Sequence, residues 1–259
     1  MDIVIVGAGR LATHLAQALH AQGHRIPAVY SRTLAAAQTL AATVSAAATD
    51  SLDTLPTSAD AFVIAVKDDA LPAVIDRLSA LRPHGLFFHT AGSVPMTVFQ
   101  GHAVHYGVVY PLQTFSKERP VDFSRVPFFI EGSDPLSLHT ATAIASSLSS
   151  DVRQLGSDRR RHLHLAAVFA SNFANHCYAL AAEILRQQGL PFSVMLPIIG
   201  ETAAKVAALP PREAQTGPAV RFDEQVMAAQ LRLLRDSPLA AQVYELMSQS
   251  IHQLAISHD

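Results

Sequence analysis

One cysteine, Cys177, occurs among 259 residues. A lone thiol excludes an internal disulfide and a cysteine zinc cluster, and it suits a reducing cytoplasm, the expected location. Charge of either sign is not in excess: 19 basic against 21 acidic residues leave a net −2. That balance excludes a broad basic surface for nucleic acid. The densest basic run, Arg159-Arg160-Arg161, is short and lies where a helix is expected to start. Every twenty-residue window of the Ala-rich stretches carries a charge, a His or an Asn, so no membrane span is expected. Residues 1–6 read as a strand and lack a basic n-region, so no signal peptide is expected. The 13 histidines include no HExxH-like pattern. His162 and His164 stand two apart on a helix and face different ways, so no metal site is expected. Finally, no carboxylate lies between Asp2 and Asp50.

What is present starts with an apolar run at residues 1–6. Gly7-Ala8-Gly9-Arg10-Leu11-Ala12 follows at once, and then an amphipathic stretch over residues 13–21. This is strand, tight turn and helix with the G-x-G-x-x-A spacing of a dinucleotide-binding turn. Gly7 allows the turn, Gly9 allows close approach of a pyrophosphate, and Ala12 lets the helix pack on the strand. Arg10 and Leu11 open the helix, whose free N–H groups and positive dipole end favour phosphate. The next strand, residues 25–30, ends in Ser31-Arg32-Thr33. An NAD site places Asp or Glu there for the ribose 2′-hydroxyl. Here a hydroxyl and a guanidinium stand instead, and Arg grips phosphate with paired hydrogen bonds. Ser31 and Arg32 therefore point to NADP rather than NAD.

Strand and helix patterns alternate through the first half. Strands are expected at residues 60–66, 86–89, 103–109, 127–131 and 152–155, with helices at 69–81 and 135–148. From residue 158 the pattern is helical only: 158–188, 192–208, 219–235 and 238–256. The expected fold is a Rossmann-like, doubly wound parallel sheet over residues 1–156, followed by an all-α domain over 157–259.

This plan resembles pyrroline-5-carboxylate reductase, 6-phosphogluconate dehydrogenase and ketopantoate reductase. More closely, the chain resembles an uncharacterised Rossmann-like oxidoreductase family whose helical C-terminal half is a domain of unknown function. The matching segments are His89-Thr90-Ala91-Gly92-Ser93, Tyr110-Pro111-Leu112-Gln113-Thr114-Phe115-Ser116, Leu163-His164-Leu165-Ala166-Ala167-Val168-Phe169 and Asn172-Phe173-Ala174-Asn175-His176. Glu201-Thr202, Lys205 and Gln215-Thr216-Gly217-Pro218-Ala219 complete them. The resemblance implies an NADP-linked oxidoreductase and leaves the substrate open. It also implies that Val66 and Lys67 cover cofactor phosphates and ribose, and that residues 215–221 correspond to a substrate loop. A helix start there, aided by Arg221, would favour an anionic substrate. Thr90 and Gly92, after their strand, are expected along the nicotinamide ribose.

Reacting groups are expected on the long helix. At 100° per residue, His164, Ser171 and Asn175 share a stripe, with Asn172 beside it. Two Asn and a His on an otherwise apolar helix need partners. The related hydroxyacid dehydrogenases carry a Lys four residues from an Asn on this helix; here Val168 and Ser171 hold those places and the Lys is absent. His164 suits proton transfer near neutrality, with Asn172 and Asn175 positioning substrate; a structural His–Asn network is the alternative. The leading expectation is hydride transfer between NADP and a small C=O or C=N compound held between the domains. Its rivals are a non-catalytic NADP-binding regulatory protein and an oligomerisation scaffold with a vestigial cofactor domain. Apolar positions at helical spacing, among them Leu231, Leu234, Val243, Leu246 and Met247, predict a homodimer through the helical domain.

Overall fold

The computed structural model describes residues 1–257. Residues 1–172 and the residues from Phe173 onward form two compact units.

The first unit is built on eight strands: β1 (Ile3–Val6), β2 (Ala28–Tyr30), β3 (Ala47–Thr49), β4 (Ala61–Ile64), β5 (Leu86–His89), β6 (His105–Pro111), β7 (Phe128–Gly132) and β8 (Val152–Gln154). Their order in the sheet is β3-β2-β1-β4-β5-β6-β7-β8. The chain moves outward from β1 to β3, then returns to lay β4 on the other side of β1. That reversal opens a crevice at the carboxyl ends of β1 and β4. Strands β1 to β6 are parallel, as expected. The expected doubly wound parallel sheet is present, with one antiparallel pairing toward its far edge: β7 pairs with β6 antiparallel, and β8 lies parallel to β7. No α-helix joins β6 to β7, so nothing returns the chain to the other end of the sheet.

The strands are apolar because both faces are covered. Period-2 alternation sends Ile3 and Ile5 into one core with Ala12, Leu15, Val63 and Ile144. Val4 and Val6 enter the opposite core with Phe62, Ile64, Ile75 and Phe87. Helices α1 (Arg10–Ala21), α2 (Leu34–Thr43) and α4 (Pro135–Ser146) cover the first face, and α3 (Leu71–Leu81) covers the second. A reciprocal cap starts α4: Asp134 accepts from the Ser137 N–H, and the Ser137 hydroxyl accepts from the Asp134 N–H. The pair α2 and β3 is a unit the periodicity did not reveal. Its run of alanines gives a weak stripe, and β3 has only three residues.

The helix expected at 158–188 is α5 (Ser157–Ala167), a π-helical segment (Val168–Phe173) and α6 (Ala174–Gln187). The first unit ends inside that segment. The second unit contains α6, α7 (Leu196–Ala208), the short α8 (Pro211–Ala214), α9 (Glu224–Leu233) and α10 (Pro238–Ile256). Among its described residues only Ala219 is buried.

Arg160 fastens α5 to the sheet. Its side chain is fully buried. It donates to Glu131 Oε2 on β7 at 2.5 Å, to the Val94 carbonyl at 2.5 Å and to Ser157 Oγ at 3.3 Å. Glu131 also accepts from the Ser157 N–H and hydroxyl, at 3.1 and 2.8 Å. Burial lowers the Arg160 pKa and Glu131 opposes that shift. Removing one partner of a buried ion pair strands the other charge. Glu131→Ala is therefore expected to lower unfolding free energy by about 3–5 kcal/mol in urea denaturation. A loss of about 0.5 kcal/mol, the scale of a surface change, would contradict this role for the pair.

Candidate functional site

At the β1–β4 switch point, Gly7 leaves the strand with φ +130°, a conformation only glycine adopts readily. A Cβ there would also lie 2.8 Å from the Ala65 carbonyl carbon, so β1 and the end of β4 cross too closely for any side chain. Gly9 is the N-cap of α1, makes no side-chain cap, and no acidic residue occupies the first turn. A Cβ on Gly9 would meet open space within 4 Å. The helix end is thus bare of protein partners on the side where a phosphate would approach.

Around this turn lies a cleft of ≈ 530 Å³, lined by Gly7, Gly9, Ser31, Arg32, Val66 and Lys67, with Tyr30, Asp69 and Val74 beyond them. Sequence positions far apart are gathered here because the ends of β1, β2 and β4 are adjacent. The end of β2 carries Ser31 and exposed Arg32, and the only carboxylate in the lining, Asp69, comes from the segment after β4. These residues fit a dinucleotide with a 2′-phosphate. Arg10 and Leu11 lie in the first turn of α1, and Ala12 is fully buried against the sheet.

The other expected cofactor residues sit elsewhere in the unit. Thr90 is buried, with its hydroxyl 3.5 Å from the Ile64 carbonyl. Gly92 backs a pair of side chains: a Cβ there would fall 2.5 Å from His164 Nδ1 and 2.9 Å from Tyr110 Cζ. Those two rings meet edge to face, and Tyr110 Oη lies 3.0 Å from His164 Nδ1. Both line a second cleft of ≈ 500 Å³ with Leu112, Gln113, Leu163, Ser171 and Asn172. Its remaining walls are Thr114 and small apolar side chains of α5 and the π segment; no Lys or Arg lines it. Burial pushes the Tyr110 phenol up from its ordinary value, and the Arg160 charge opposes that shift.

The structure brings His164, Ser171 and Asn172 to this cleft, whereas Asn175 lies on α6 in the second unit and is not in the lining. The expected stripe of His164, Ser171 and Asn175 assumed uniform α-helix. The π segment between them winds through i→i+5 bonds and advances less than 100° per residue. That lag carries Asn172 round toward His164. A further correction concerns residues 215–221. Helix α9 starts at Glu224, and its N-terminus is capped by the Asp223 carboxylate accepting from the Val226 N–H at 3.2 Å. The helix expected from residue 219 therefore starts at Glu224, and Arg221 lies before it. Among the described residues no three His, Cys, Asp or Glu gather as a metal site, and no helix is long and apolar enough to cross a membrane.

Two residues carried less weight in the sequence than they do in the site. Tyr110 stood only in one of the matching segments, and its contact with His164 depends on a glycine at 92. Arg160 stood in a surface-like basic run. The available signal was that three consecutive arginines on a helix cannot all face one way.

The comparisons with known proteins agree with this geometry. Residues 2–87 match the family described as NADP oxidoreductase coenzyme F420-dependent, and residues 126–251 match the domain of unknown function DUF2520. A candidate NADP oxidoreductase from Bacteroides fragilis is 50% identical, over 97% of this chain and 98% of its own, with a TM-score of 0.93. The chain belongs to the NADP oxidoreductase family that joins this N-terminal domain to DUF2520. More distant likenesses are of fold alone. An imine reductase from Myxococcus stipitatus, solved with NADP+, is 18% identical over 98% of this chain and 93% of its own, with a TM-score of 0.68. A reductive aminase from Aspergillus terreus, solved with NADPH4, cyclohexanone and allyl amine, is 14% identical over 97% and 92%, also at 0.68. No curated protein matches the chain.

His89, at the end of β5, has a stability consequence. It is fully buried, stacks on Phe99 and accepts from the Ala91 N–H at 3.1 Å. Its Nε2 has no partner of normal geometry, although the nearby Pro95 carbonyl slightly favours a proton there. Burial first, and then the Arg160 charge, push its pKa down from 6.5 to about 3. The folded protein therefore binds fewer protons than the unfolded chain between those values, and stability falls as pH falls through that window. Between pH 6.5 and 5 the loss from this residue is about 2 kcal/mol. Urea unfolding at the two pH values is expected to show that increment in the parent protein and not in His89→Gln. Equal pH dependence in both would contradict it.

Proposed function

We propose that the protein is an NADP(H)-dependent oxidoreductase that passes a hydride between the nicotinamide and a small C=O or C=N compound. The observation that carries this reading is the crevice in which the bare glycine turn of β1–α1 faces Ser31 and Arg32. The bound nicotinamide supplies the hydride chemistry; the chain binds, orients and handles the proton. Gly7 and Gly9 admit the pyrophosphate, Arg32 and Ser31 take the 2′-phosphate, and Val66 with Lys67 borders the cofactor. Beside the Tyr110–His164 pair, Asn172 orients the substrate in the second cleft. Its apolar walls favour an uncharged, carbon-rich substrate, and the cyclohexanone bound by the distant reductive aminase is of that kind. A second reading, a regulatory protein that binds NADP without turnover, draws on the lack of a Lys in that cleft. NADPH oxidation with cyclohexanone, alone and with allyl amine, and with a panel of imines, ketones and hydroxyacids, separates the two.

The cofactor assignment predicts that Arg32→Ala weakens NADPH at least tenfold more than NADH, the loss of a charge-assisted contact of about 1.5–3 kcal/mol. Titration calorimetry with both cofactors measures it. Equal loss for both would leave Arg32 as a loop support.

We further propose that two copies associate through the second unit. Leu233 is 82% exposed, Leu239 76%, Leu246 69% and Ile198 62%, so α7, α9 and α10 leave large apolar side chains uncovered. A second copy is the partner most economically matched to such a face, by two-fold self-complementarity. Light scattering is expected to give the mass of two chains across the micromolar range, and a monomer throughout would overturn the assignment.

A further inference from the structure

We infer that Tyr110, rather than His164, is the group that gives a proton to the substrate, with His164 as the positioning residue that holds its hydroxyl. This rests on the oxidoreductase reading above and assigns the proton within it.

Three observations converge on the pair. Tyr110 ends β6 and is mostly buried, so its ring cannot swing, yet it lines the second cleft. His164 Nδ1 lies 3.0 Å from Oη and approaches edge-on. Gly92 is required behind them, because any Cβ would push both rings apart. A backbone position stripped of its side chain to let two polar rings meet is a built arrangement. Two tautomers satisfy the contact. With the proton on Nδ1, His164 donates to Oη, and the phenolic O–H is left free to point into the cleft. That tautomer makes Tyr110 a donor to substrate and His164 a donor to Tyr110.

The charges around the pair agree. The Arg160 charge on α5 reaches the Tyr110 phenol, and Arg160 in turn is paired with Glu131 on β7 and acts on His89 on β5. Glu131 is spent on Arg160 and Ser157. His89 stays neutral at ordinary pH. Arg160 is therefore the charge that acts on Tyr110, and it favours the phenolate left after proton transfer. Burial keeps the phenol protonated beforehand.

In the reducing direction the substrate carbon accepts a hydride from the reduced nicotinamide and forms a C–H bond. The C=O or C=N π pair moves onto the heteroatom, which takes the proton of Tyr110 as the Oη–H bond breaks. The substrate gains two electrons and the nicotinamide loses two. The phenolate is held by the His164 Nδ1–H and by the Arg160 charge until solvent returns a proton.

The test uses the full chain, with two readouts. Tyrosine labelled with ¹³C at Cζ reports the Tyr110 ring, assigned by its loss in Tyr110→Phe. The second readout is NADPH oxidation with cyclohexanone and allyl amine. NADP+ is expected to shift the Tyr110 resonance, and Tyr110→Phe is expected to keep NADPH affinity while losing about a hundredfold or more in turnover. His164→Asn is expected to leave measurable turnover and to move the basic limb of its pH profile upward, because the phenolate loses a hydrogen bond. A Tyr110 resonance indifferent to NADP+ that demonstrably binds would overturn the inference. So would a Tyr110→Phe variant turning over within about threefold of the parent, against the hundredfold expected of an acid. Failure of the parent to bind NADP(H) at all would remove the oxidoreductase reading, and this inference with it.

Discussion

The buried guanidinium of Arg160 is where the architecture of the first unit and its chemistry meet. One side chain ties the start of α5 to β7 through Glu131 and to the segment after β5 through the Val94 carbonyl. Those contacts fix the helix that carries His164 against the strand that carries Tyr110. The same charge helps to keep His89 neutral and acts on the Tyr110 phenol. A buried ion pair is a poor source of net stability, because desolvation offsets its attraction. Its value here lies in position: Glu131 and Ser157 leave the guanidinium one place to sit.

The cofactor crevice depends on different physics. It needs no charged anchor, only a strand order that reverses beside β1 and a turn without side chains. Gly7 is required by its positive φ and by the nearness of Ala65, whereas Gly9 is required by what it leaves open. The two glycines of one motif thus serve the fold and the ligand separately.

Much of this was legible in the sequence because it is local or periodic. The β1–turn–α1 unit, the parallel strands and the wholly helical second half follow from runs, alternation and glycine spacing. Three features were not legible. The direction of β7 is set by what joins it to β6, and irregular residues carry no periodic signal. The π segment adds a phase shift that a uniform 100° wheel cannot register, so Asn172 rather than Asn175 joins His164 in the cleft. The Tyr110–His164 contact joins residues 54 apart in sequence and depends on a missing side chain at Gly92, which neighbours neither of them in sequence. Arg160 differs again: its neighbours Arg159 and Arg161 are exposed, and only packing distinguishes it from them.

The central claim is that a nicotinamide cofactor laid on the Gly7–Gly9 turn presents its reactive ring to the Tyr110–His164 pair. The most direct measurement is a crystal structure of the protein with NADP+ and cyclohexanol. The account predicts the 2′-phosphate at Arg32, the pyrophosphate on the α1 N-terminus, and the alcohol oxygen within about 3.2 Å of Tyr110 Oη. A dinucleotide bound in the same crevice with its ring turned away from Tyr110, or an alcohol held by other side chains, would contradict it.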